Sequence, residues 1–385
     1  MRVIHFGKFY PPHRGGIETF LADLCEGLAG RDVQCEVVVS AEPGEMGGRI
    51  EHEVNLRRLT CLGVVKSVPI CPDAPWALNR MEADIIHVHH PNPLADACLR
   101  VSKPRGRIVV TYHSDVVGHG MLGAMYERTI RRTLGMADAI VTASDEYVKS
   151  SSVLKLFYSK LRVIPYGIDC EESMGLRRPF GGVSREPRYL FLGRLVPYKG
   201  VSVFLRALRH VRGRAWIAGS GPLENALKRE AGEVGVSDRV EFLGEVSEEE
   251  KRQRLAACDV FVLPSITRAE AFGIVLLEAM AARRPVVASD LPTGVRMLVR
   301  DGVNGRRFAP GDVQSLADAL RDVISDPARA QRMGEAGARM VRTQYTTRRM
   351  VDDYLALYEE LMASPHSRTR REERELSLAA KGAAR

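Results

Sequence analysis

Val260-Phe-Val-Leu-Pro-Ser-Ile-Thr-Arg-Ala-Glu270-Ala-Phe-Gly273-Ile-Val-Leu-Leu-Glu278-Ala-Met280 reads as one unit of a repeating architecture: a short apolar strand, a polar loop, and a helix opening after a glycine. Two carboxylates lie eight positions apart, Glu270 in the loop and Glu278 inside the helix. Backbone N–H groups around Gly273 to Val275 suit a diphosphate, and each carboxylate can accept hydrogen bonds from hydroxyls on either side. Glu278 stands in an otherwise apolar run, Ile274 to Met280, and there needs a polar partner. The alternative is a solvent-facing helix position.

The same strand–turn–helix rhythm runs through the chain. Candidate strands begin at Arg2, Gln34, Asp84, Ile108, Ala139 and Arg162, and a second series at Arg188, Ala215, Val240, Val260 and Pro285. This is the βαβ pattern of parallel sheets covered on both faces, and open parallel sheets bind ligands beyond the carboxyl ends of their strands. The segment Cys170 to Glu186, rich in Gly, Pro and Arg, interrupts the rhythm and reads as a linker. The expected organisation is α/β throughout: a first Rossmann-like domain over 1–170 on the acceptor side and a second over 187–345 that binds the nucleotide. The two face an interdomain crevice. A helix over 346–363, with Val351, Tyr354, Leu355 and Tyr358 on one stripe, is expected to dock on the first domain, followed by a mobile tail, 364–385.

Composition limits the function. A chain of 385 residues that is 45% hydrophobic can bury a large core. No apolar run approaches the roughly 20 residues that span a bilayer, and Met1-Arg-Val-Ile-His-Phe is no secretion signal, so a cytosolic location is expected. Seven cysteines (25, 35, 61, 71, 98, 170, 258) are scattered without a C-x-x-C pair and read as reduced. The net charge of +8, from 56 basic and 48 acidic residues, permits an anionic partner. Nucleic acid has no motif in its support. Six of the basic residues fall in the tail (Arg368, Arg370, Arg371, Arg374, Lys381, Arg385) against three Glu.

Two further turns carry candidate chemistry. Arg14-Gly15-Gly16-Ile-Glu18 follows the first strand, where glycines either let the backbone approach a phosphate or only make a tight turn. Gly193-Arg194-Leu-Val-Pro-Tyr-Lys199-Gly200 lacks the pattern of a phosphate-binding P-loop. It still places at a strand mouth the Arg fork and Lys point charge that a diphosphate needs; two surface cations are the alternative. Gly219-Ser-Gly221-Pro222 lacks the third glycine of a dinucleotide fingerprint and reads as a turn near the nucleotide.

These segments, with Thr111-Tyr-His113-Ser-Asp115 and Val163-Ile-Pro-Tyr-Gly167-Ile-Asp169, resemble glycosyltransferase family 4, the retaining nucleotide-sugar transferases of the two-Rossmann (GT-B) architecture. The resemblance extends to about Met362. It implies that Arg194 and Lys199 neutralise a donor diphosphate, Glu278 binds ribose hydroxyls, and Glu270 holds hydroxyls of the transferred sugar. It further implies that Gly15 and Gly16 approach the phosphates, that His113 faces the sugar, and that Phe272, Gly273 and Ile274 lie in the donor site. The family needs no metal or other cofactor beyond its nucleoside diphosphate sugar. One departure falls at Leu291-Pro-Thr-Gly-Val, where Thr293-Gly294 replaces a glycine pair and Met297 an acid. That form is similar to bacterial polysaccharide transferases using GDP-linked hexoses, so GDP is favoured over UDP and a mannose-like sugar is expected, passed to a glycan or glycolipid acceptor.

Three other readings stand beside this one. Ile86-His87-Val-His89-His90 offers His87 and His89 on one face, but no third metal ligand at the usual spacing, and reads as a strand-end cluster. The helical stretch 121–134, with Met125, Ile130 and Leu134 opposite Arg128, Arg131 and Arg132, suits either an anionic membrane surface or ordinary packing. A sugar-nucleotide epimerase of the same shape, or an inactive partner subunit, are the rivals to transfer. The four residues Arg194, Lys199, Glu270 and Glu278 together disfavour the last.

Overall fold

The computed structural model describes residues 1–13, 15–50, 54–65, 68–79, 82–101, 105–115, 121–169 and 186–364. Arg14, nearly all of the expected linker and the tail from 365 lie outside them. The chain divides into two compact units. The first comprises Met1–Thr142, Ser152–Ile164 and the chain from Met350; the second comprises Ala143–Ser151 and Pro165–Arg349.

The first unit is built on β1 (Arg2–Phe6), β2 (Gln34–Ser40), β3 (Gly48–Ile50), β4 (Asn55–Leu59), β7 (Glu82–His90), β8 (Arg105–Tyr112), β9 (Ala139–Thr142) and β10 (Leu161–Val163). A small hairpin, β5 (Val64–Val65) with β6 (Val68–Pro69), lies apart from that sheet. The eight-stranded order is β10-β9-β8-β7-β1-β2-β4-β3, parallel except for β3. β1 and β7 stand side by side at its centre, with His5 opposite His87, and β8 aligns Thr111 with His89. Apolar β-branched runs give these strands, and both faces are covered, so Val3, Ile4, Val37, Ile86, Val109 and Ile140 are buried.

Helix Gly16–Ala29 covers the face carrying His5, with Phe20, Leu21, Leu24 and Leu28 buried at helical spacing. Helix Thr347–Ala363 packs on the same unit from Met350 onward, burying Val351, Tyr354, Leu357 and Tyr358 while Leu355 stays half-buried. The hydroxyls of Tyr354 and Tyr358 hydrogen-bond Thr111 and His87 of the sheet.

The second unit holds β11 (Arg188–Leu192), β12 (Arg214–Ala218), β13 (Val240–Gly244), β14 (Val260–Leu263), β15 (Val286–Ser289) and β16 (Gly305–Phe308) in the order β13-β12-β11-β14-β15-β16, all parallel. Helices Val201–Leu208 and Val313–Ser325 close one face through Phe204, Leu205, Leu316 and Leu320. Helix starts are chemically marked. Ser247 and Glu250 form a capping box, and Asp312 and Asp326 accept from Ser315 and Arg329 N–H.

The grouping differs from a single cut at residue 170. Helix Asp145–Ser150 belongs to the second unit because Ser150 Oγ donates to Pro292 O and Arg268 lies 5.0 Å over the Tyr147 ring. Among the described residues no helix is long and apolar enough to cross a membrane.

Candidate active site

In the second unit the loops leaving adjacent strands β11 and β14 are joined. Gly200 adopts φ +66, and a Cβ there would lie 2.0 Å from Pro264 O, so only glycine permits this approach. The Ile266 N–H donates to Tyr198 O at 2.8 Å beside it. This juncture sets Lys199 against Glu270: Nζ lies 2.7 Å from Oε2, with side chains 11% and 9% exposed. Ser265 Oγ donates to the same Oε2 at 2.7 Å. Burial alone would push the Lys199 ammonium down, but the Glu270 carboxylate outweighs it and holds its pKa above the ordinary value. Lys199 is therefore a cation already paired. Arg194, one turn earlier, is exposed and makes no ion pair among the described residues.

The turn after β12 closes on the same place. Leu195 N–H donates to Ser220 O at 2.8 Å, which locks Gly219–Pro222 to the Arg194 turn. Gly273, at φ +85, directs the chain into helix Ile274–Ala281, whose N-terminus no side chain caps. Its leading N–H groups are left for an anion.

Glu278 sits one turn into that helix. Its Oε1 accepts from Lys251 Nζ at 2.8 Å, and its Oε2 is buried without a hydrogen-bond partner. Lys251 also touches Glu248 Oε2 at 2.6 Å. Burial opposes the Lys251 charge, and the two carboxylates more than restore it, so its pKa is raised. Glu278 is half-buried: neither orphaned in the core nor turned fully to solvent.

Phe272 does not offer its side chain to a ligand. The ring is buried against Tyr166, 4.7 Å between centroids, and Tyr345, because Gly294 leaves room for it. Ile274 is half-buried at the helix start. Thr293 caps the helix that begins at Gly294, whose N–H donates to Ala271 O, so the departing segment 291–295 abuts the loop containing Glu270.

In the first unit Gly15 is extended and Gly16 opens helix Gly16–Ala29. The Glu18 carboxylate folds back over Gly15, to within 2.1 Å of where a Cβ would stand. An acid thus already occupies the helix N-terminus that favours negative charge. His113 follows β8 and is buried. Phe20, from the first turns of the Gly16 helix, packs edge-on against it at 5.0 Å. This brings the helix of Gly16 and His113 together.

His87 and His89 share a face, and the third imidazole absent from their own strand comes from β1. His5, His87 and His89 hold ring nitrogens within 4.8 Å of one another. Both nitrogens of His87 are engaged, by Tyr358 Oη at 2.6 Å and Thr111 Oγ1 at 2.7 Å. Both of His89 are engaged by His5 and His113. His5 Nε2 is the nitrogen of the cluster left buried without a hydrogen-bond partner.

Residues 14–172 match the family model described as Glycosyltransferase Family 4, and residues 176–340 match Glycosyl transferases group 1. The chain is 33% identical over 374 residues to O-antigen chain mannosyltransferase C of Escherichia coli, covering 94% of this chain and 100% of that protein. The chain belongs to glycosyltransferase family 4. A second relative of this family-4 transferase is the D-rhamnosyltransferase WbpZ of Pseudomonas aeruginosa, 32% identical, covering 90% of this chain and 92% of its own. Among solved structures, sucrose-phosphate synthase from Thermosynechococcus elongatus superposes with a TM-score of 0.78 at 22% identity, covering 94% of this chain and 100% of that one. The fold is GT-B, and the protein is a hexosyltransferase.

Three residues that sequence reasoning passed over belong to these clusters. Ser265 was readable only as a loop hydroxyl five positions before Glu270, and Lys251 only as part of a charged, solvated helix face. His5 offered no signal at all, because its partners come from β7, more than 80 positions away.

Proposed function

We propose that this chain is a retaining transferase that moves a mannose-like hexose from a nucleoside diphosphate sugar, GDP-linked by preference, to a glycan or lipid-linked acceptor in surface polysaccharide synthesis. The observation that carries the reading is the conjunction on one helix of an uncapped N-terminus at Gly273 and, one turn on, the unpartnered Oε2 of Glu278. A diphosphate would take the N–H groups and the Arg194 guanidinium, and a ribose hydroxyl would donate to Glu278. Both relatives carry hexosyl or deoxyhexosyl transferase names, which supports this sugar class, and the form of the Leu291–Val295 segment favours the guanine base.

Departure of the diphosphate concentrates negative charge on its oxygens. Arg194 and the helix N-terminus stabilise it where it develops. The Lys199–Glu270–Ser265 cluster supplies a positioned carboxylate for sugar hydroxyls and a cation behind it. Front-face attack, with the leaving phosphate accepting the acceptor proton, would retain anomeric configuration. The donor belongs with the second unit and the acceptor with the first.

Contact with an anionic leaflet rests on Arg128 and Arg132, which stand exposed on helix Met121–Met136. Ile130 and Leu134 are consumed by packing, and Arg131 is paired with Glu127 at 2.6 Å, so the attraction would be electrostatic. The transferase relatives do not favour the epimerase reading. A panel of GDP- and UDP-sugars, scored by release of nucleoside diphosphate with and without membrane extract, tests the whole. Acceptor-dependent release from a GDP-hexose supports it, whereas equal release without acceptor favours hydrolysis or epimerisation.

A further inference from the structure

Glu270 meets the rest of the second unit through one carboxylate oxygen. Lys199 Nζ and Ser265 Oγ both lie 2.7 Å from its Oε2. A carboxylate oxygen has two lone-pair sites, so these two donors fill Oε2. Among the described residues Oε1 has no hydrogen-bond partner, yet it is not sealed in the interior as Glu278 Oε2 is. The two oxygens of Glu270 are therefore unequal: one is spent on the protein, and the other keeps both lone pairs for a ligand.

Ser265 is the more rigid of the two donors. Pro264 O before it packs against Gly200, and Ile266 N–H after it donates to Tyr198 O at 2.8 Å, so the backbone is held on both sides of the serine. The far end of the loop is held as well. Glu270 N–H donates to Thr267 O at 3.2 Å, and Gly294 N–H donates to Ala271 O at 2.8 Å. Ser265 is 0% exposed, a position where a hydroxyl needs a partner, and Glu270 Oε2 is that partner. Lys199 alone, a point charge on a flexible stem, would fix where Oε2 lies but not how the carboxylate plane is turned. Two donors on one oxygen fix both.

We propose that Ser265 is a positioning residue that, with Lys199, occupies Oε2 of Glu270 and so turns Oε1 toward the hydroxyls of the transferred sugar. This rests on the reading above that Glu270 serves the sugar. It adds a rule of specificity. Oε1 is an acceptor of fixed direction, so the site selects a hexose that presents an O–H there and rejects one in which that hydroxyl is missing, because the oxygen would be left unpaired.

The test is a cycle between Ser265→Ala and the donor, with GDP-mannose set beside analogues that each lack one hydroxyl of the hexose, and kcat/KM read from acceptor-dependent GDP release. Lys199 and Glu270 stay in place throughout. The wild-type protein should lose about tenfold or more on one analogue, the worth of a charge-assisted hydrogen bond. Ser265→Ala should lose about tenfold on GDP-mannose but about twofold or less on that same analogue, because the hydroxyl through which Ser265 acts is gone. An equal loss on every donor, which a merely structural role would give, overturns the proposal, and so does no loss at all. Ser265→Cys keeps a weaker donor at the same branch and should fall between Ser and Ala on GDP-mannose. A Cys variant no faster than Ala overturns the proposal too, and if Ser265→Ala does not fold the same cycle is read on Ser265→Cys. A wild-type protein indifferent to every missing hydroxyl would instead overturn the placement of Glu270 at the sugar.

Discussion

Lys199 Nζ and Glu270 Oε2 are 2.7 Å apart in a site where both side chains are about nine-tenths buried. Two residues each assigned a ligand of their own are thus first of all partners of one another. Taking two charges out of water is costly, and removing one partner strands the other.

Lys199→Met or Glu270→Gln alone should therefore lower both transfer and stability, the latter by about 3–5 kcal/mol for a stranded buried charge. The double variant Lys199→Met/Glu270→Gln should recover much of the stability and none of the transfer. Urea unfolding beside nucleotide release checks this. A double variant that transfers at the wild-type rate would remove both residues from the site.

Glu278→Gln weakens a charge-assisted acceptor, so KM for the donor should rise about tenfold with little change in stability. Lys251→Met should act in the same direction and less strongly, since Lys251 contacts Glu278 Oε1 and in the proposed site would act on the donor through that carboxylate. Isothermal titration with the free nucleotide resolves the two effects.

Gly200→Ala should be among the most damaging single-methyl additions in the second unit. It strains a positive φ and drives a Cβ into Pro264 O. A loss of about 2 kcal/mol or more is expected, together with reduced transfer because the Lys199–Glu270 juncture opens. Gly232, where a Cβ would meet nothing within 4 Å, is the matched control, and Gly232→Ala should leave stability unchanged or higher.

Stability should fall in acid. His5, His90 and His113 are held near 3 by burial, and His87 and His89 lie well below 6.5. Below about 6.5 the unfolded chain takes up protons that the folded chain refuses, so stability is complete above that pH and is lost as pH drops toward 3. Each ring contributes up to about 1.4 kcal/mol per pH unit. Asp96, raised to about 6 by burial, opposes this between about 4 and 6. It is one group against five. The raised Lys199 acts only above about 10.5. Urea midpoints at pH 7.5, 6 and 5 should decline steadily, and a flat series would show that the imidazoles are hydrated.

The fold was legible where strands are runs of apolar β-branched residues, as at Val260–Leu263 and Val286–Ser289. Five strands escaped that reading: the short β3, β5 and β6, and also β4 and β16. β4, Asn55–Leu59, and β16, Gly305–Phe308, each carry adjacent arginines and lie toward sheet edges, and Arg58 of β4 donates to Pro11 O. Arg306 pairs with Asp301 and Asp322, and Arg307 with Asp290. The site was legible as residue types at the mouths of strands. Its pairings were not, because the Lys199–Glu270 contact joins positions 71 apart and the His5–His89 contact positions 84 apart. The third histidine beside His87 and His89 shows why spacing along one strand is the wrong test: parallel register supplies the neighbour from another strand.

The account turns on the Lys199–Glu270–Glu278 constellation serving a nucleoside diphosphate sugar that gives its hexose to an acceptor with retention. The most direct measurement is product analysis by NMR after incubating purified protein with GDP-mannose and an acceptor-containing membrane extract. The account predicts acceptor-dependent GDP release and a glycoside with the anomeric configuration of the donor, both abolished in Lys199→Met/Glu270→Gln. Inverted configuration, or release that proceeds as fast without acceptor, would contradict it.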